Sequence, residues 1–128
     1  MSRLIVVFFA LFVWAAGVFG QKSMPVVGKD SAPVPIARSE PQYSEAARAA
    51  GLVGTVFLSM VVDESGLPTE IKVVRWRLRE KGSDGEAKDP LGLDEEAVKA
   101  LKQWRFRPAM KQGRPVPAQA NIEINFRL

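Results

Sequence analysis

The chain has 128 residues, with 18 Lys and Arg against 14 Asp and Glu and a net charge of +4. That length, with 47% hydrophobic residues, supports one modest core and not two. There is no Cys and no His, so disulfides, thiolate chemistry, a Ser-His-Asp triad, a Cys-His dyad and a typical zinc site are all excluded.

The first element is an export segment. Arg3 precedes the uncharged apolar run Leu4 to Phe19. As a helix this run spans about 24 Å, short of the ~30 Å hydrocarbon core of a bilayer. It ends in the small residues Ala15, Ala16, Gly17 and Gly20, and Val18-Phe19-Gly20 suits signal-peptidase cleavage before Gln21. Residues 1–20 therefore read as a cleaved signal peptide or as an uncleaved signal anchor. Both fates put the rest of the chain outside the cytoplasm, because Arg3 favours an inside N-terminus. A lipoprotein anchor is excluded, since it needs a cysteine.

Residues 21–39 contain Pro25, Pro33 and Pro35 and show neither a helical nor a strand period. They read as an extended linker with a reach of roughly 60 Å.

The folded domain is expected over residues 40–128. Ser44 is a good N-cap for a short Ala-rich helix over Glu45–Ala50, and Glu45 suits its dipole. Gly51 stops the helix as a left-handed C-cap, with Leu52 supplying the hydrophobic contact after it. Val53 to Val62 alternates as a strand, with Val56, Leu58, Met60 and Val62 on one apolar face. Asp63-Glu64-Ser65-Gly66 forms a turn in which Gly66 is free to take positive φ. Thr69 to Leu78 returns as the second strand of a hairpin, and its apolar phase slips between Val73 and Val74, the mark of a bulge. Glu80 to Gly92 is a long polar loop, read as a surface excursion rather than a lid. Leu93 to Trp104 is the clearest helix, with Asp94 as its cap and Leu93, Ala97, Leu101 and Trp104 at helical spacing. A short extended piece follows, with Trp104 and Phe106 on one side. After a turn at Lys111–Arg114, Val116 to Leu128 is the last strand. In it Ala118, Ala120, Ile122, Ile124, Phe126 and Leu128 alternate with Gln119, Asn121, Glu123, Asn125 and Arg127, so one face is buried and the other wet. Helix, hairpin, helix and long strand give an α+β fold: an antiparallel sheet of about three strands with two helices on one face.

Arg75, Arg77, Arg79 and Lys81 are the densest basic run, and on a strand three arginines share a side. They read as a solvated strand face, with no nucleic acid as partner. The carboxylate pairs Asp63/Glu64 and Glu95/Glu96 are neighbours that point apart and read as turn and cap chemistry. No phosphate loop or metal-ligand spacing appears, so neither an enzyme nor a cofactor is expected.

Several short pieces, in order over about ninety residues, together resemble the TonB C-terminal domain. They are Pro41-Gln42-Tyr43 before the short helix and Gly51; Gly54-Thr55-Val56; Val62-Asp63-Glu64-Ser65-Gly66; Leu93-Asp94; Trp104-Arg105-Phe106-Arg107-Pro108-Ala109; Gly113-Arg114-Pro115-Val116; and the terminal Asn125-Phe126-Arg127-Leu128. The resemblance implies a periplasmic domain that couples inner-membrane proton-channel partners to an outer-membrane TonB-dependent receptor. The receptor's extended segment would add as a strand to an exposed sheet edge, by β-augmentation. On that reading the partner-binding residues are Glu40, Gln42 and Tyr43 before the first helix, and Gln119, Asn121, Glu123, Asn125 and Arg127 on the last strand. Arg105 and Arg107 flank a structural Trp104, Phe106 and Leu101 cluster. Self-pairing into a homodimer through the same strand is a further option.

The chain departs from the family pattern in four ways. Ser44 stands where the family has a proline after the tyrosine. The loop Glu80 to Gly92 is longer than usual. The apolar N-terminal run lacks the family's histidine. The linker is shorter and less rich in Pro, Lys and Glu. The last two departures favour an alternative: a free or self-associating envelope scaffold domain that does not transduce energy.

Overall fold

The computed structural model describes residues 30–128; the expected export segment and the first part of the expected linker lie outside the described residues. In chain order the elements are β1 (Val34–Ala37), α1 (Glu45–Ala50), β2 (Leu52–Val62), β3 (Pro68–Glu80), α2 (Leu93–Lys102), β4 (Arg105–Arg107), β5 (Ala109–Lys111), β6 (Arg114–Val116) and β7 (Ala118–Phe126). Three of them form the main antiparallel sheet in the order β3-β2-β7, and two small two-stranded sheets pair β1 with β4 and β5 with β6. No helix of the described residues is long and apolar enough to cross a membrane.

Both helices pack on one face of the main sheet. Ala47 of α1 and Leu93, Ala97, Ala100 and Leu101 of α2 join Val56, Leu58 and Met60 of β2, Leu78 of β3, and Ile124 and Phe126 of β7 in one core. The α+β architecture expected from the apolar periods is therefore the observed one. β2 and β7 run in unbroken register from Gly54↔Phe126 to Val62↔Ala118. In the β2–β3 ladder Phe57 faces Arg75 while Leu58 faces Val73. Val74 is thus the extra residue of a bulge at the predicted phase slip. A second irregularity lies between Thr69 and Lys72, where Glu70 has a φ of 51°.

Local chemistry sets the ends of the elements. Ser44 caps α1 by accepting from the Ala47 amide at 3.2 Å, and Gly51 closes it in the left-handed region with φ 68°. In the hairpin turn Asp63 Oδ1 accepts from the amides of Ser65 and Leu67, both at 2.9 Å, and from the Ser65 hydroxyl at 2.7 Å. The Ser65 hydroxyl first, and then the Leu67 amide, hold the Asp63 carboxyl below its ordinary range.

Several boundaries differ from the sequence reading. α2 is capped by Gly92 and not by Asp94. The chain enters the helix through two positive-φ residues, Leu91 at 53° and Gly92 at 92°, which puts Asp94 inside the first turn. Glycine suits a φ of 92°, which side-chain-bearing residues rarely adopt, and a Cβ would also sit 3.2 Å from Ser44 Cβ. α2 ends at Lys102, two residues before Trp104. β3 is longer than expected at both ends. The last strand starts at Ala118, because Val116 pairs with Ala109 in the small β5–β6 hairpin. Leu128 lies past β7 and is 48% exposed, so it is not part of the buried face. The Glu80–Gly92 loop is tied back by the Ala87 amide, which donates to the Leu78 carbonyl at 2.7 Å. Within the expected linker, β1 pairs antiparallel with β4, and Ser31 bridges Met110.

The hairpin turn is also bonded to the segment after α2. The Phe106 amide donates to the Gly66 carbonyl at 2.9 Å. Gly66 has φ 88°, and a Cβ on it would lie 2.1 Å from the Phe106 carbonyl oxygen. Gly66→Ala is therefore expected to lower unfolding free energy by at least about 3 kcal/mol. Gly82→Ala, at φ 85° with nothing within 4 Å, should lose only about 1 kcal/mol. Urea denaturation of both variants checks this, and equal losses would mean that the Gly66–Phe106 approach does not hold the hairpin.

Candidate functional site

Main-chain groups of a strand alternate in direction, so each residue of β2 offers its N–H and C=O to only one neighbour. The Lys81 amide donates to the Gly51 carbonyl at 2.7 Å, and the Thr69 hydroxyl donates to the Val61 carbonyl at 2.9 Å. The odd-numbered residues of β2 therefore face β3. The even-numbered ones face β7, giving the bonded pairs Gly54–Phe126, Val56–Ile124, Leu58–Ile122, Met60–Ala120 and Val62–Ala118. The main-chain groups left on the outer edge of β7 belong to Gln119, Asn121, Glu123 and Asn125. In the described residues β7 pairs with β2 alone. The four outward residues have exposed side chains, while Ala118, Ile124 and Phe126 are buried and Ala120 and Ile122 half-buried.

The sheet's other edge is different. Along β3 the ladder is broken twice, at Val74 and between Thr69 and Lys72. Its own loop also occupies the outward carbonyl of Leu78 through Ala87. Bulges and covering loops are how proteins stop an edge from pairing. β7 carries neither device, so the two edges are not equivalent.

Of the predicted residues before the first helix, Tyr43 reaches the end of β7. Tyr43 packs edge-on to Phe126, with ring centroids 5.5 Å apart. Its hydroxyl donates to the Leu52 carbonyl at 2.7 Å. Leu52 is an even residue of β2, so this carbonyl points to the β7 side, just past the last pair of the ladder. Tyr43 thus closes the ladder where β7 ends. Burial pushes its phenol pKa up, and the Arg48 guanidinium, 5.3 Å from the ring centroid, opposes this. Glu40 and Gln42 are exposed on the same lead-in segment, and Arg127 is exposed just beyond β7.

Trp104 and Phe106 are buried with rings 6.0 Å apart, as the sequence suggests. Trp104 also holds the lead-in segment, because its Nε1 donates to the Ser39 carbonyl at 3.1 Å and Arg38 lies over its ring at 5.4 Å. Arg105 turns back to the chain, donating to the carbonyls of Lys102 and Trp104 at 3.1 and 2.7 Å. Arg107 is exposed. The sequence reading missed the strand pairing of residues 34–37 with 105–107. The available signal was the alternation in Val34-Pro35-Ile36, which the two prolines obscure.

Residues 39–128 match the family described as Gram-negative bacterial TonB protein C-terminal. The chain is 32% identical over 109 residues to Protein TonB of Vibrio cholerae, covering 85% of this chain and 40% of that protein. It is 38% identical over 88 residues to Protein tonB2 of Pseudomonas aeruginosa, covering 69% of this chain and 28% of that one. The chain thus spans well under half the length of these relatives. Among solved structures, that of the Pseudomonas aeruginosa TonB CTD aligns with a TM-score of 0.54 at 25% identity, covering 77% of this chain and 89% of that one.

Tyr43 is the one tyrosine of the chain, so its ionisation can be followed by tyrosinate absorbance without overlap. The midpoint is expected above pH 10, and Arg48→Gln should move it higher still. A raised folded pKa means stability that is complete below pH 10 and is lost as pH rises through the folded value. A midpoint at or below 10 would contradict the seating of the ring against Phe126.

Proposed function

Because the chain belongs to the TonB C-terminal family, whose members are non-enzymatic, we propose that its domain is a periplasmic protein-interaction module of TonB-type transport, one that binds an extended segment of an outer-membrane TonB-dependent receptor as a fourth strand on β7. The observation that carries this reading is the inequality of the two sheet edges. β3 is blunted by its bulges and by its loop, whereas β7 keeps the outward N–H and C=O groups of Gln119, Asn121, Glu123 and Asn125. An incoming strand satisfies those groups and is directed to one edge only. Tyr43 borders the Phe126 end, with Glu40 and Gln42 exposed on the segment that leads to it, and Arg127 extends past it. They frame the end of the track, with Tyr43 acting through its fixed position rather than by offering its hydroxyl, which is already bonded. A second copy of the chain meeting the same edge would form a homodimer in competition with the receptor.

The docking of β1 shortens the segment of residues 21–39 that could serve as a tether. Energy coupling to inner-membrane proton-channel partners needs a tether that crosses the envelope. With Ser31 and Val34–Ala37 held on the domain, the stretch between Phe19 and Asp30 reaches only about 30 Å when extended. On this reading the domain engages its partner either free after cleavage or close to an anchor at residues 4–19.

Asn121→Pro tests the edge directly. Asn121 lies opposite Ser59 in a pair that does not exchange ladder bonds, so proline removes one outward donor and leaves the β2–β7 bonds intact. Titration with an extended receptor peptide, read by backbone amide shifts, is expected to perturb residues 119–125. The variant should bind about tenfold more weakly with its melting temperature little changed. Shifts that map to β3, or an affinity unaffected by the proline, would overturn the assignment.

A further inference from the structure

The face of the main sheet opposite the helices carries a charge pattern that strand addition on β7 does not use. Lys72, Arg75, Arg77 and Arg79 have Ser59, Phe57, Thr55 and Val53 as their Cα partners. These are the β2 residues whose side chains point away from the core. All four cations are exposed. Successive arginines stand roughly 6.8 Å apart, so the three form a line about 14 Å long. The Arg75 guanidinium lies 3.9 Å from the centroid of the Phe57 ring, which holds it beside β2. Across β2 the same rows continue into Asn121, Glu123 and Asn125. Glu123 is the one carboxylate among the paired residues of this face. The ion pair found among the described residues is Lys99–Glu96, on α2, and none of the four cations is in a salt bridge there.

Two further observations bear on what meets this face. The adjoining β3 edge is blunted, so a peptide strand does not add beside the arginines, and a ligand must approach the face itself. The docking of β1, together with the Asp30 carboxylate that accepts from the Gln112 amide at 2.9 Å, leaves only ten residues between Phe19 and the domain. An apolar anchor at Leu4–Phe19 would therefore hold the domain within about 30 Å of a bilayer surface.

We propose that this basic sheet face docks on an anionic lipid surface, with Lys72, Arg75, Arg77 and Arg79 meeting lipid phosphates. A planar array of phosphates needs no register and no groove, which suits a flat sheet face, and guanidinium groups pair well with phosphate oxygens. The attraction is electrostatic and falls off within a Debye length, about 8 Å at physiological ionic strength, so it is sensitive to salt. It leaves the outer edge of β7 free and does not depend on receptor binding there.

The test uses the full chain, with residues 1–20 retained, in nanodiscs of neutral phosphatidylcholine or of phosphatidylcholine with phosphatidylglycerol. Both discs contain a trace of lipid bearing a gadolinium chelate, and broadening of backbone amides is the readout. In anionic discs the amides of residues 53–59 and 75–79 should broaden roughly threefold more than in neutral discs, while those of α1 and α2 change little. Salt at 0.5 M, or the combined R75Q, R77Q and R79Q substitutions, should abolish the difference. The salt arm on the unsubstituted chain decides the matter if the triple variant does not fold. Equal broadening in both discs, broadening that resists salt, or shifts at these residues with polyglutamate but not with anionic discs would overturn the lipid assignment. The last outcome would mark the face as a surface for an acidic protein. None of these outcomes depends on whether a receptor peptide binds β7.

Discussion

The architecture depends on β2 having a neighbour on each side. Its residues alternate the direction of their main-chain groups, and both sets are satisfied, the odd ones by β3 and the even ones by β7. The same alternation places Val56, Leu58, Met60 and Val62 against the helices and leaves Thr55, Phe57 and Ser59 on the open side. A one-residue slip of either neighbour would turn its buried side chains to solvent and its polar ones into the core. The bulge at Val74 is what keeps β3 in phase: without it, the apolar residues before and after the slip could not both face the core.

Around this strand the remaining parts are joined by backbone contacts where a side chain would not fit. The Ser44 hydroxyl caps α1 and also donates to the Leu91 carbonyl, just before Gly92 starts α2. One hydroxyl therefore sets the beginnings of both helices, and the serine that stands in place of the family's proline has a use the proline could not supply. Gly66 plays the equivalent part at the other end of the sheet, where the β2–β3 turn meets the Phe106 backbone. These two junctions orient α2 and the segment after it over the sheet. They also explain why Trp104 and Phe106, which lie outside α2, are nevertheless core residues.

The regular parts of the fold are legible in the sequence, because they rest on periodicity and end chemistry within a few residues. The cap at Ser44, the stop at Gly51, the alternation in Val53–Val62 and Ala118–Phe126, and the phase slip at Val73/Val74 are all local signals. What the sequence hides is set by partners distant along the chain. α2 starts not at Asp94 but at Gly92, where the Ser44 hydroxyl, nearly fifty residues earlier, holds the Leu91 carbonyl. Residues 34–37 form a strand because the chain after Trp104 passes beside them, and Pro33 before the strand and Pro35 within it mask their alternation. Val116 leaves the last strand because Ala109 claims it as a hairpin partner. For the candidate site, alternation identified the residues of β7 that stay wet, but not that β7 lies at an edge. That required the strand order, and the choice between the two edges required knowing that β3 is bulged and covered.

One sheet thus offers two surfaces of different physical character. The edge of β7 presents hydrogen-bonding groups of fixed direction and spacing, so it discriminates by backbone geometry, and salt affects it little because those groups carry no net charge. The open face presents charge without direction, and it responds to the density of opposite charge rather than to register. Because β2 separates the arginine row of β3 from the outward groups of β7, occupying one surface need not cover the other. Glu123, with its Cα partner Phe57, belongs to both, its main chain on the edge and its side chain on the open face. It gives the β7 side of the face a weakly acidic character that sets it apart from the cationic row on β3. A strand arriving at β7 and an anionic surface arriving at β3 are thus sorted by chemistry as well as by position, and the alternation of β2 produces both surfaces at once.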